Sequence, residues 1–326
     1  MNNPVSILLA FLLVLLLSPL VRAAPPNRVV ITPSGLTERE TVLFVAHDQG
    51  FFRKYDIQAE IVDVRSGSIA IAALAAGESQ FYYGSASGAT LGAVANGVPI
   101  VLVAGLINKL TGVFMVSPEI KNPADLKGKR VGVMSIGGGN WMFSMLALDH
   151  WGLDPKRDGI SIRVIGDNAV LAQSISSGII DACTVSYSFA AHLKRQGYRV
   201  LADLVTLAIP YQGNGMWTRR AFISQSPDVV ERTLRALVEA TAFVQAPGNR
   251  GPVMKSLARW LRLPRVEDAA DGYDLMRTFF DRRIYPTVDG IRNTIRVLGS
   301  ADERIRRLRA EEMVDDRIVK GLEKGR

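Results

Sequence analysis

Few side chains in this 326-residue chain have the type and spacing for covalent or metal chemistry. His47, His150 and His192 are scattered, and none has a Cys or second His at metal-ligand spacing. The single cysteine, Cys183, lies in an apolar strand pattern and reads as a buried, inert thiol that cannot form an intramolecular disulfide. Gly137-Gly138-Gly139 lacks the Lys-Ser/Thr of a phosphate loop. Serines without a partner base read as helix caps rather than nucleophiles. The expectation is a protein that is not an enzyme and carries no metal or cofactor.

What the chain does offer is backbone N–H chemistry. Ser34-Gly35, Ser66-Gly67, Gly84-Ser85, Gly137-Gly138-Gly139-Asn140 and Ser186-Tyr187 each follow a strand pattern. In open α/β sheets such strand ends are where ligands sit. Helix starts at Ser66, Ser85 and Gly139-Asn140 would aim unpaired N–H groups and partly positive helix ends into one cleft, which favours an anion or an anionic, aromatic compound without any buried Arg. Those twelve residues are the candidate ligand contacts, and an ordinary cap is the alternative role for each Ser or Asn. Trp141, Tyr187 and Tyr211 have the shape to stack on a ring, with core packing as the alternative. Glu38 and Asp167 oppose an anion, since either facing the cleft would select an amine or a protonated ring.

The elements that must position these residues alternate. Strands are predicted at 28–31, 58–64, 80–83 and 100–106, with intervening helices opened by Thr37-Glu38-Arg39-Glu40, which has capping-box spacing, and by Ser66-Gly67-Ser68. This order argues for a parallel sheet covered on both faces. The pattern restarts at Gly112. Asn122-Pro123 opens a helical turn, and strands are predicted at 129–134, 160–165, 199–204 and 215–218, with a helix over 140–151. Ser226-Pro227 starts a long helix to about Ala246, and further helices at 252–262, 267–281, 287–298 and 301–310 would pack back onto the first lobe. The predicted lobes are 24–111 with 222–326, and 112–221.

One unit recurs 101 residues later. Ala172 to Ser186 can be laid over Ile71 to Ser85 without a gap, matching Ile175 to Leu74, Gly178 to Gly77, Asp181 to Gln80 and Ser186 to Ser85. Two similar lobes follow from this, the alternative being that helix–Gly–strand units resemble one another in any α/β protein.

Composition supports a globular, exported chain. It is 48% apolar and 21% charged, with a net charge of +8. The basic excess is spread out with no aromatic-interleaved stripe, which argues against nucleic acid as a partner. Ile7 to Leu17 is an unbroken apolar run followed by Val21-Arg22-Ala23. It reads as a signal peptide cleaved after Ala23, residues 1–23, with an uncleaved anchor as the alternative. No Cys follows it, so no lipid anchor is expected, and the protein is expected to be periplasmic.

Four blocks in order resemble the periplasmic substrate-binding proteins of nitrate, sulfonate, taurine and thiamine-precursor importers. They are Ala46-His-Asp-Gln-Gly-Phe-Phe-Arg-Lys-Tyr55, Ala73-Leu-Ala-Ala-Gly-Glu-Ser-Gln-Phe81, Ala124-Asp-Leu-Lys-Gly-Lys-Arg-Val-Gly-Val133 and Gly178-Ile-Ile-Asp-Ala182. The resemblance implies a type II two-lobe periplasmic-binding-protein fold, each lobe a mainly parallel sheet flanked by helices. It implies a monomer that closes on a small solute and presents it to the permease of an ABC transporter; a sensor or adaptor for a membrane partner is the alternative. Pyrimidine synthases of this fold carry a Cys-rich run where Gly137-Gly-Gly-Asn-Trp141 stands, so the resemblance does not extend to that chemistry.

Overall fold

The computed structural model describes residues 27–64 and 66–324; the expected leader at 1–23 lies outside them. Two five-stranded sheets form, with orders β2-β1-β3-β10-β4 and β7-β6-β8-β5-β9. The first contains β1 (Arg28–Pro33), β2 (Gln58–Ile61), β3 (Phe81–Gly84), β4 (Ile100–Gly105) and β10 (Gly215–Arg219). The second contains β5 (Val113–Val116), β6 (Arg130–Val133), β7 (Ser161–Val164), β8 (Ala182–Val185) and β9 (Arg199–Asp203).

Both sheets follow one plan. The strands β2, β1 and β3 run parallel, as do β7, β6 and β8, and the fourth position in each sheet holds an antiparallel strand. That strand is in each case the first one laid down after the chain crosses between sheets, β5 on the way out and β10 on the way back. Central strands are covered on both faces, and β3, β4 and β8 are buried at every residue.

The sequence reading placed Gly215–Thr218 with the second lobe, and this is corrected. Here β10 pairs with β3 and β4 of the first sheet. Trp217 is fully buried there and donates its indole N–H to Gly84 O at 3.1 Å, while Thr218 Oγ1 donates to Gln80 O at 2.7 Å. The residues between β9 and β10 therefore carry the return crossing, and Lys109 on the outward crossing forms an isolated antiparallel bridge with Pro210 on the return.

The helices of the first half are α1 (Thr41–Asp48), α2 (Phe51–Lys54), α3 (Gly67–Ala76) and α4 (Gly88–Ala95). Those of the second are α5 (Gly139–His150), α6 (Asn168–Ser176) and α7 (Tyr187–Arg195). Beyond β10 come α8 (Arg220–Gln225), α9 (Pro227–Gln245), α10 (Arg250–Leu261), α11 (Ala270–Met276), α12 (Val288–Gly299), α13 (Glu303–Arg306) and α14 (Arg317–Lys324). This tail packs onto the first half, with α9 against α1 and α2, and α10 against α1, where Trp260 stacks on Phe44 at 5.0 Å. Val314 bridges Leu102 and covers the outer edge of β4. Among the described residues no helix is long and apolar enough to cross a membrane.

The 101-residue repeat is visible atom by atom. Gln80 Oε1 accepts the N–H of Val30 at 2.8 Å, and Asp181 Oδ2 accepts the N–H of Arg130 at 2.7 Å. Each side chain thus ties the start of one strand to its parallel neighbour, β3 to β1 and β8 to β6. The matched Leu74 and Ile175 are both buried. Gly77 and Gly178 both adopt positive φ, 84° and 72°, where a glycine ends the helix without steric penalty.

A candidate ligand cleft between the two sheets

After β1 the chain turns through Ser34, whose N–H donates to Tyr83 O at 3.0 Å, and through Gly35 at φ +150°. Thr37 then closes the expected capping box. Its Oγ1 accepts the Arg39 N–H at 3.2 Å, and Glu40 Oε2 accepts the Thr37 N–H at 2.9 Å. Glu40 is fully buried and also accepts from Asn214 Nδ2 at 2.6 Å; burial raises its pKa. This anchored turn directs Glu38 and Arg39 toward the second half.

Arg39 lies over the ring of Phe143 in α5, 4.8 Å from its centroid. Its Nε donates to Thr37 Oγ1 at 3.3 Å, and no carboxylate lies within ion-pair distance among the described residues. Its charge bears on the phenols of Tyr82, Tyr83 and Tyr211. The Tyr82 hydroxyl approaches Ser34 and Thr90, and that of Tyr211 approaches Ser85, yet neither hydroxyl makes a hydrogen bond of good geometry. Burial pushes both phenols up and keeps them neutral donors. A cation that lines the cleft without a carboxylate partner suits a bound oxyanion.

The expected helix starts are brought to the same place, with two changes. The helix α3 begins after Ser66, whose side chain makes no cap bond, and Gly67 lies beside the Tyr82 hydroxyl and Ser34. Its first N–H groups have no acceptor within the helix. The next helix starts just past Ser85, at Gly88. Ser87 is the N-cap of α4 and accepts the Thr90 N–H, while Thr90 Oγ1 donates to Ser85 O at 2.9 Å. Across the cleft α5 starts at Gly139, after Gly138. Gly137 O accepts the Ala89 N–H at 2.8 Å, and Gly139 faces Ser85 Oγ, so Gly84-Ser85 and Gly137-Gly139 meet between the halves.

Several named residues carry structural duties, and three of them, Asn140, Ser186 and Tyr187, also line the cleft. Gly84 is required because a Cβ there would fall inside the Tyr82 ring. Asn140 is buried, donating from Nδ2 to Thr184 O at 2.7 Å and accepting from Met134 N at 3.1 Å, so its amide is fully engaged. Tyr187 lines the cleft while donating to Asp203 Oδ1 at 2.8 Å and packing its ring on Phe279 at 5.8 Å. Ser186 caps α7, takes the Asn168 amide oxygen on its N–H at 3.2 Å, and lines the cleft. Asp167 turns away as the N-cap of α6. Cys183 points into the core, where burial pushes its thiol up to about 12.

The cavity left between the lobes is about 30 Å³, room for one or two water molecules, so the lobes stand close together around it. Thr37, Glu38 and Arg39 line it from one side; Asn140, Phe143, Asn168, Thr184 and Ser186 line it from the other. The sequence reading missed Arg39 as a contact because it sits inside a capping box. The available signal was its place just past the end of β1, where the strand-end rule applies to charged side chains as much as to glycines.

This architecture is shared with solved structures at low identity. A protein of Bordetella bronchiseptica RB50 superposes with TM-score 0.79 at 21% identity, covering 92% of this chain and 98% of the other. The periplasmic aliphatic sulphonate binding protein SsuA of Escherichia coli gives 0.72 at 20%, with 90% and 93% covered. The periplasmic nitrate-binding protein NrtA of Synechocystis PCC 6803 gives 0.72 at 16%, with 92% and 89% covered. An enzyme, the desulfurization enzyme DSZB, shares the fold too, at 0.62 and 17%, with 92% and 100% covered. No curated protein sequence matches significantly. The fold is the two-lobe periplasmic-binding-protein fold, each lobe built on a mainly parallel sheet. The chain belongs to the family described as NMT1/THI5 like, whose profile matches residues 38–248.

Proposed function

We propose that this protein is a periplasmic solute-binding protein that captures a small anion, nitrate or an organic anion such as a sulfonate or carboxylate, between its lobes and delivers it to an ABC transporter permease. The single observation that carries the reading is Arg39, a cation without a carboxylate partner among the described residues, which lines the cleft between the lobes and lies over Phe143 of the opposite one. The uncapped start of α3 adds to the same potential, since a helix N-terminus favours a nearby anion by about 0.3–1 kcal/mol when exposed and up to about 2 when partly buried.

Binding rather than catalysis fits the residues present. The cleft is lined by hydroxyls and amides without a His or Cys to act as base or nucleophile. The crossings at about 106–112 and 204–214 are the hinge of this proposal, and closure brings Phe143 over Arg39. Export with cleavage after Ala23 belongs to the same reading.

A thermal-shift panel of nitrate, ethanesulfonate, acetate and ethylammonium tests it. A ligand at a hundred times its Kd stabilises the folded state by about 2.7 kcal/mol, a shift of several degrees. At least one anion is expected to give that shift. Stabilisation by ethylammonium alone would contradict the proposal.

A further inference from the structure

The cleft contains a second charge that the anion reading leaves unexplained. Glu38 is only 4% exposed, yet it has no cation within ion-pair distance among the described residues. Its carboxylate instead reaches across to the second lobe, where Ser188 Oγ and Ser186 Oγ donate to it at the N-terminal end of α7. Gly272 of α11 closes behind it, since a Cβ there would lie 2.7 Å from Glu38 Cγ. The negative charge also bears on the Tyr187 phenol. A carboxylate at a helix N-terminus is stabilised without a cation, so Glu38 occupies α7 as an internal anion.

Among the residues lining the cleft, Glu38 and Arg39 are the only charged ones. We propose that Glu38 is the specificity-determining residue of this site, limiting the ligand to a single negative charge. This inference rests on the anion-capture reading. Arg39 and the open helix ends can balance one added negative charge beside Glu38. A second would stand unbalanced in a desolvated space, where Coulomb repulsion from Glu38 grows in proportion to the ligand's charge. Removing that repulsion is expected to improve affinity about tenfold for each ligand charge, the scale of one pair of charges about 12 Å apart at an effective dielectric of about 20.

The test is calorimetry with ethanesulfonate as the monoanion and sulfate as the dianion, on the wild-type chain and on Glu38→Gln and Ser188→Ala. The wild-type protein is expected to bind ethanesulfonate and to bind sulfate at least about a hundredfold more weakly. In Glu38→Gln, ethanesulfonate should tighten about tenfold and sulfate about a hundredfold, narrowing the ratio about tenfold. Ser188→Ala keeps the charge and is expected to keep the wild-type ratio. Wild-type protein that binds sulfate as tightly as ethanesulfonate, or Glu38→Gln with an unchanged ratio, would overturn the role of Glu38 while leaving anion capture standing. Wild-type protein that binds neither probe, nor nitrate or acetate, would overturn anion capture itself and this inference with it.

Discussion

Arg39 and Phe143 come from different lobes, and the guanidinium lies 4.8 Å from the ring centroid across the cleft. The contact exists only when the lobes are together, so it links closure to the placement of the cation. A cation–π contact of this kind is worth about 0.5–1 kcal/mol at exposed sites and about 2 when desolvated. Phe143→Leu keeps most of the apolar volume and loses the ring. It is expected to weaken anion binding about threefold to thirtyfold in calorimetry, with only a small loss of melting temperature.

The phenols of Tyr82 and Tyr211 are fully buried near Arg39 and make no hydrogen bond of good geometry among the described residues. Deleting an unsatisfied buried hydroxyl removes a cost rather than a bond. Tyr82→Phe and Tyr211→Phe are therefore expected to hold or raise ligand-free stability, by up to about 1 kcal/mol in urea unfolding, while each weakens anion binding. A loss of stability of more than about 1 kcal/mol without loss of affinity would show that these hydroxyls serve the fold alone.

Gly84 lies where Tyr82 folds back across the strand, and any Cβ at this position would overlap the ring. Gly84→Ala must displace Tyr82 or shift β3 against β10. The expected cost is about 1–3 kcal/mol, read by chemical denaturation.

The pair Gln80 and Asp181 separates charge from geometry, since the two residues make the same backbone bond in the two lobes. Replacing either by Ala leaves a strand N–H unsatisfied and is expected to cost about 1–3 kcal/mol. Only the Asp181 contribution depends on pH. The bidentate Arg130 guanidinium lowers the Asp181 pKa below the usual carboxylate value. A depressed folded-state pKa gives stability that is present above the unfolded-state value, near 4, and is lost as pH falls through the folded-state value. Wild-type and Asp181→Ala melting temperatures should converge on acidification below about pH 4, whereas the Gln80→Ala difference should not.

Much of this arrangement was legible in the chain itself. Period-2 and helical patterns located nearly every strand and helix. The match of Ile71–Ser85 to Ala172–Ser186 announced two lobes because the repeated positions carry the same physical duties: Leu74 and Ile175 fill cores, Gly77 and Gly178 end helices, and Gln80 and Asp181 tie strands. The partner of a strand was not legible. The residues Gly215–Arg219 read as a strand, yet local pattern says nothing about the return crossing that inserts it between β3 and β4. Charged contacts were harder still. Thr37-Glu38-Arg39-Glu40 satisfies a capping box in full, so its residues had an adequate local explanation, and the direction of the two middle side chains depends on the opposite lobe.

The most direct measurement of the account is calorimetric titration of ethanesulfonate and nitrate into wild-type protein and into Arg39→Ala. A charge-assisted contact with an oxyanion contributes about 1.5–3 kcal/mol. The wild-type chain is expected to bind at least one of the two anions, and Arg39→Ala to bind it about tenfold to a hundredfold more weakly with its melting temperature nearly unchanged. Equal affinity in the two proteins would contradict the claim that Arg39 holds the ligand in this cleft.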